Sequence, residues 1–261
     1  MQVIMSNKAM KSFILLFLFG ISFVGIGQNK TKKATKVVPT KVFTKSYGLI
    51  TATNTSLLGG ASFRITKTTN DLIFGKTSSH YFNAELVNFK NSKENSTQTS
   101  AGGRNTYGKL NYFFVFRPEY GREINLFKRN DSEGIGLNAI VAVGPSFGIQ
   151  KPFYIIWDDG KQGGQKFSVP FNPVLYSDDS RIVGADAIYK GILESKIING
   201  IHLKTALNFD ISTFRENASG IEIGLNTEVF TRRPEIMAYS KSPSFYFAPY
   251  LTLYFGTKKS K

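Results

Sequence analysis

Few side chains in this chain have the type and spacing for chemistry. Cysteine is absent, which removes thiolate metal sites, disulfides and cysteine nucleophiles together. Of the two histidines, His202 lies in the alternating stretch "IHLKTALNFDIS" (Ile201–Ser212), near the start of the strand that this stretch predicts. Upstream, "WDDG" (Trp157–Gly160) offers Asp158 and Asp159 as carboxylate partners for it. A histidine held by an acid is the general base of many hydrolytic sites, and at the rim of a membrane protein it would suit modification of a lipid. No spacing joins these residues in the sequence. A satisfied polar histidine is the simpler reading, and no catalytic residue is assigned.

Oxygen-rich segments give no firmer site. "DDGKQGGQK" (Asp158–Lys166) and "SDDS" (Ser177–Ser180) have the composition of calcium loops, but the regular acidic spacing and terminal glutamate are missing. "SAGGR" (Ser100–Arg104) lacks the lysine and the helix of a phosphate-binding loop. The expectation is no metal and no cofactor.

The larger set of chemical groups is the charges that recur at every second position of apolar stretches. In Ile201–Ser212 the odd residues Ile201, Leu203, Leu207, Phe209 and Ile211 are apolar, and Lys204 and Asp210 fall on the other face. In "IEIGLNTEVF" (Ile221–Phe230), Glu222 and Glu228 oppose Ile221, Ile223, Leu225 and Val229. Successive side chains of a strand point to opposite faces, so these stretches read as two-faced strands. The same alternation marks residues 48–53, 60–66, 82–86, 109–117, 135–150 and 244–256, which brings the tally to eight segments. In the last of these, Phe245, Phe247, Leu251, Leu253 and Phe255 form one apolar stripe, with Tyr246, Tyr250, Thr252 and Tyr254 opposite.

Several of these segments approach or exceed the roughly 9–11 residues with which a tilted strand crosses a bilayer. Charges in mid-strand suit a narrow polar lumen more than the apolar interior of a secreted sandwich or lipocalin-like barrel. The predicted fold is therefore all-β: an eight-stranded antiparallel up-and-down transmembrane β-barrel. On this face assignment Arg64, Glu85, Lys109, Arg117, Glu119, Lys204, Asp210, Glu222 and Glu228 point inward as an ion-pair set, and the odd residues from Phe245 to Phe255 face lipid. "RNDSEG" (Arg129–Gly134) and "RENASG" (Arg215–Gly220) read as short turns at one end, and residues 151–200 as a long outer loop with a short amphipathic helix over Asp186–Ser195. Pro118, Pro145 and Pro249 fall inside strands, where a closed sheet has no free edge, and predict bulges or strand ends. A bulge is expected first at Pro249.

The amino terminus reads as an address. Lys8 and Lys11 precede an apolar run, Phe13–Val24, too short for a spanning helix, and Gly25-Ile26-Gly27 follows it. That pattern is a secretory signal peptide over residues 1–27. Residues 28–46 then form a basic arm with Lys30, Lys32, Lys33, Lys36, Lys41 and Lys45, the barrel occupies 47–256, and 257–261 is a tail. The formal charge of +15 is thus concentrated in the arm, not on an aromatic strand face. Nucleic acid is excluded as a partner, and anionic lipid or the cell wall is the expected one for the arm.

The stretches "ELVNFKNSKE" (Glu85–Glu94), "YGKLNYFFVFRPEYGREINLF" (Tyr107–Phe127), "SFGIQKPFYI" (Ser146–Ile155) and "IEIGLNTEVF" resemble an outer-membrane β-barrel family of Bacteroidota with no established activity. The resemblance covers most of the chain after the signal peptide and departs from the family pattern at residues 53–58, the first hairpin. It implies the fold, a place in the cell outer membrane among its lipids, and no site residues. The ending on Phe255 also resembles the terminal strand read by barrel assembly machinery. The expected role is envelope structure or surface interaction with a plugged lumen; a narrow pore for small solutes and a rim enzyme of lipid modification are the alternatives.

Overall fold

The computed structural model describes residues 42–260 apart from 129–133, 161–163, 177 and 213–215. The expected signal peptide and residues 28–41 of the expected arm lie outside the described residues. In chain order the strands are β1 (Val42–Ala52), β2 (Thr55–Ile73), β3 (Lys76–Phe89), β4 (Ser96–Gln98), β5 (Arg104–Thr106), β6 (Asn111–Phe127), β7 (Gly136–Pro152), β8 (Tyr154–Asp158), β9 (Lys166–Pro170), β10 (Ile182–Ala185), β11 (Lys196–Asp210), β12 (Asn217–Phe230) and β13 (Phe245–Ser260). Strands β1, β2, β3, β6, β7, β11, β12 and β13 pair each with the next, and β13 returns to β1, closing an eight-stranded antiparallel barrel. Each of the eight alternating stretches falls on one of these strands.

Pairing carries the barrel beyond what alternation marked. Val42 faces Ser260 and Lys45 faces Thr257, so residues on both sides of the 47–256 stretch are strand. The strands are staggered. From Lys45 the row of facing residues runs through Ile65, Phe82, Tyr120, Val143, Leu203 and Thr227 to Phe247, ten residues up β13 from Thr257. A shear of ten over eight strands tilts them by about 40°, within the usual range for closed barrels.

The faces are inverted relative to a soluble barrel. Arg64, Glu85, Lys204 and Glu222 are buried, whereas Phe245, Phe247, Leu251, Leu253 and Phe255 lie outward and exposed. Phe245 to Phe255 is ten steps of about 3.4 Å, which at that tilt covers about 25 Å of barrel axis.

Connections divide by end. The barrel's two chain ends share one end with the two-residue turn Phe74-Gly75 and the links 128–135 and 211–216. Phe74 and Gly75 have φ of 51° and 72°, as a tight hairpin turn requires. The other end carries 53–54, 90–110, 153–195 and 231–244. There β4 and β5 form a hairpin and β10-β8-β9 a three-stranded sheet, together making a crown. Thr99 Oγ1 donates to the Val183 carbonyl at 2.7 Å, tying the two pieces together. The crown has its own core of Phe153, Ile155, Phe171 and Ile182, with Leu110 and Tyr112 packed on it from the barrel mouth.

The short helix expected in the long outer loop does not form. Asp186–Ser195 holds a single 3-10 turn, Ile192–Glu194, because Gly191 at φ 73° interrupts any helical run before it. At the first hairpin the register slips between Thr55 and Gly60, and the extra residues push Leu57 and Leu58 outward at 82% and 76% exposure.

No bulge forms at any of the three prolines. Pro118 and Pro145 face each other: the β6–β7 ladder skips from Phe116–Phe147 to Tyr120–Val143 without a change of register. A three-rung gap of this kind arises when the two residues that should exchange both hydrogen bonds are prolines. Two missing donors thus cost one site. Each proline keeps its other neighbour, Ala84 or Ile201. Pro249 sits where β1 has ended, its carbonyl accepting from the Thr53 N–H at 3.2 Å, and the carbonyl that its absent N–H would meet belongs to Thr53, which is exposed in the turn.

Candidate functional site

Strand alternation and the barrel's stagger bring the inward polar residues into layers along the axis. Nearest the crown, Phe89, Phe113, Phe230 and Tyr246 form one aromatic layer, with ring centroids 5.0 to 6.2 Å apart and mostly edge to face. Gly148 on β7 makes room for it, since a Cβ there would lie 2.4 Å from the Phe113 ring. Arg117 sits beneath, 5.2 Å from the Phe89 centroid.

Arg117 crosses the lumen. It grips Glu228 on β12 through Nε at 3.0 Å and Nη2 at 2.6 Å, and reaches Glu85 on β3 from Nη1 at 3.4 Å. A bidentate guanidinium–carboxylate pair fixes both distance and direction, so β6 and β12, which are not neighbours, are held at one spacing. In the next layer the Lys204 ammonium lies between Glu85 and Glu119, 2.5 Å from the latter, with Glu222 at 4.0 Å. Asn83 donates to Glu119 at 2.6 Å and to Glu85 at 3.2 Å. Below, Arg64 pairs with Glu222, which also accepts from the Tyr250 hydroxyl. The Arg64 guanidinium is sandwiched by Tyr81 and Tyr254 at 5.1 and 4.7 Å.

His202 belongs to this network and not to a rim. Strand β11 begins at Lys196, earlier than the alternation indicated, which places His202 inside the lumen, 1% exposed. Its Nε2 donates to Glu119 Oε2 at 2.9 Å, and its Nδ1 lies 3.0 Å from Ser146 Oγ. Serine, histidine and carboxylate thus stand in a row with the makings of acyl-transfer chemistry. Ser146 is 0% exposed, however, and the aromatic layer separates it from the crown. Position explains the trio differently. Glu119 and Ser146 flank the proline gap on β6 and β7, so His202 bridges the two strands where their backbone rung is missing. Asp158 and Asp159, its expected partners, are in the crown sheet's β8–β9 turn region and do not approach it.

Of the nine residues expected inward, Arg64, Glu85, Arg117, Glu119, Lys204, Glu222 and Glu228 share the buried network. Lys109 does not. It precedes β6, in the crown, where it pairs with Glu94 and lies 4.1 Å over the Tyr112 ring. Burial pushes its ammonium down from the ordinary lysine range, against the pull of Glu94. Asp210 lies at the other end of the barrel, half-buried, 2.5 Å from Lys258. Lys258 was unassigned because it sits in the stretch read as a tail. Glu123 was also missed: it is buried on β6 and accepts from Asn208 and Asn138, both at 2.8 Å. The signal was present, since Glu123 shares odd parity with Arg117 and Glu119 in the same strand.

No protein-family model matches the chain, and no curated protein matches it. Among solved structures it is similar to Ail, the attachment invasion locus protein of Yersinia pestis, in complex with the heparin analogue sucrose octasulfate, at 10% identity over 85% of this chain and 100% of that one, TM-score 0.34. It is also similar to Neisserial surface protein A, at 9% identity over 85% of this chain and 97% of that one, TM-score 0.35. Similarity this coarse transfers no residue, and the fold stands on the chain's own closed ladder.

Proposed function

We propose that the protein is an integral outer-membrane β-barrel with a structural plug for a lumen, acting in envelope structure or surface interaction through its crown. One observation carries this reading: the barrel is inverted, with an outward apolar wall about 25 Å tall around a lumen filled by paired charges. Export by the expected signal peptide would put both barrel termini in the periplasm and the crown outside. In this reading the outward stripe from Phe245 to Phe255 meets lipid, and the last strand serves assembly machinery as its recognition segment. The arm at 28–41 would then lie in the periplasm, within reach of the cell wall or lipid headgroups.

What separates plug from pore is continuity. Arg117 and Lys204 each bridge carboxylates on other strands, Arg64 on β2 pairs with Glu222 on β12, and the aromatic layer lies above them, so a conducting path needs the network to part. The rim-enzyme alternative has its three groups in Ser146, His202 and Glu119, but they are sealed from any lipid ester. Heat-modifiable migration in the outer-membrane fraction is expected, and planar bilayers holding the purified protein should stay silent. Reproducible conductance steps would overturn the plug; recovery as a soluble periplasmic protein would overturn the membrane placement.

A further inference from the structure

The outer wall is not uniform around its circumference. The stagger of ten residues over eight strands lifts each strand by about one and a quarter residues relative to the last. Corrected for that, the outward residues Lys45 on β1, Lys67 on β2, His80 on β3 and Arg122 on β6 lie within about 6 Å of one another along the axis, near the end that carries the termini. Above them on the same strands stand Tyr47, Phe82 and Tyr120, one outward position up, and Phe63, two outward positions above Lys67 beyond Ile65, all four rings exposed. At the same level on the far side the outward residues are Ala139, Phe209, Ile221 and Phe255, without charge. A basic band under an aromatic band therefore exists on one flank only.

The side chains in this patch are arranged around a groove lined by Lys67, His80, Phe82 and Tyr120. Arg122 Nη1 lies 3.3 Å from His80 Nε2 and 3.5 Å from its Nδ1, and His80 Nδ1 lies 2.8 Å from the Tyr120 hydroxyl. Asp71 takes one edge of Arg122 at 3.0 Å. Among the described residues no acid pairs with Lys45 or Lys67. The groove thus offers the Lys67 ammonium beside aromatic rings on its bilayer side, with the Arg122 guanidinium and the Lys45 ammonium, 5.7 Å over the Phe43 ring, on the neighbouring strands of the same patch.

From this juxtaposition we infer that the flank formed by β1, β2, β3 and β6 binds the phosphate of an anionic phospholipid in the periplasmic leaflet, its acyl chains lying against Phe82 and Tyr120. The inference rests on the membrane placement proposed above. Charge selects the headgroup: two lysines without acidic partners at a bilayer interface attract an anionic lipid and gain little from a zwitterionic one, whose ammonium is repelled. Aromatic rings at the headgroup level fix the depth, so the basic groups meet the phosphate and not the chains. The bare opposite flank explains why one site is expected and not a general ring of bound lipid.

Native mass spectrometry of the full mature chain, released from nanodiscs with equal phosphatidylglycerol and phosphatidylcholine, tests this. The wild type should retain phosphatidylglycerol over phosphatidylcholine by at least about tenfold, from about a factor of five for each lysine near the surface. Lys45→Gln/Lys67→Gln/Arg122→Gln should fall to near parity, and Lys67→Gln alone, the milder change, should lose about fivefold. The variant Lys166→Gln/Lys196→Gln, with one change in the crown and one at the crown end of β11, should behave as wild type. Equal retention of both lipids by the wild type, or full preference in the triple variant with heat-modifiable migration intact, overturns the site. Failure to enter nanodiscs or phosphatidylcholine vesicles at all instead overturns the membrane placement.

Discussion

Lys204 shows how the lumen charges act on one another. Its ammonium is fully buried and meets Glu85 and Glu119 at close range, with Glu222 beyond, so each carboxylate depends on it for part of its compensation. Removing one partner of such a set leaves uncompensated charge out of water, which costs more than the pair itself contributes. Lys204→Met should therefore destabilise the folded barrel by about 3–5 kcal/mol. Adding Glu119→Gln, which deletes one orphaned charge and keeps a group for Asn83 to meet, should restore part of it. Urea unfolding in vesicles, read by heat-modifiable migration, measures both. At this scale parity was enough to find Arg64, Glu85, Arg117, Glu119, Lys204, Glu222 and Glu228, because a side chain's face depends on its own strand alone. It failed for Lys109, where chain bordering a strand was read as strand, and for His202, whose depth depends on where β11 begins. A partner such as Ser146 for His202 was illegible, since their diagonal contact across the β7–β11 ladder, where His202 faces Gly144 and Ser146 faces Gly200, requires the register.

The element that most constrains the wall is the β6–β7 seam. Pro118 opposite Pro145 deletes both bonds of one rung, and the residues beside that rung are the ones tied by side chains: Arg117 to Glu228, Glu119 and Ser146 through His202. The seam is thus closed by its inward face where its backbone cannot close it. This predicts coupling. His202→Ala alone should cost about 1–3 kcal/mol, the usual range for stranding buried polar partners. In a Pro118→Ala/Pro145→Ala background, where the rung can form, the same change should cost measurably less, and amides at positions 118 and 145 should become slow to exchange with solvent. Equal cost in both backgrounds would show that His202 serves the charge network and not the seam. The eight strands themselves were legible because each repeats one period over many residues. The prolines looked like defects from within single strands; their shared rung appears only when the two strands are set side by side.

For the whole molecule, barrel and crown are separable by their cores. The barrel's buried residues converge on Phe89, Phe113, Phe230 and the charge layers, whereas the crown collects Phe153, Ile155, Phe171 and Ile182 around β8 and its neighbours. The crown sheet was not legible in the sequence. "YIIWD" (Tyr154–Asp158) is apolar without alternation, as expected of a strand covered on both faces, and gives no period to detect. Topology makes the crown's three-stranded sheet removable: Gln150 at the end of β7 already faces Lys196 at the start of β11, so residues 153–195 leave and re-enter at one point of the ladder. Replacing 153–195 by a short Asn-Gly turn, together with Leu110→Ser and Tyr112→Ser to cover the surface the crown leaves, should give a barrel that still enters vesicles and migrates in a heat-modifiable way. It should also remain silent in planar bilayers, because the aromatic layer and Arg117 belong to the barrel and not to the crown. Conductance in the shortened protein with silence in the full chain would mean that the crown sheet, and not the lumen, is the plug. Silence in both would place the seal in the aromatic layer and the charges beneath it, of which alternation had picked out the charges alone, and would leave the crown free to act as a surface for partners.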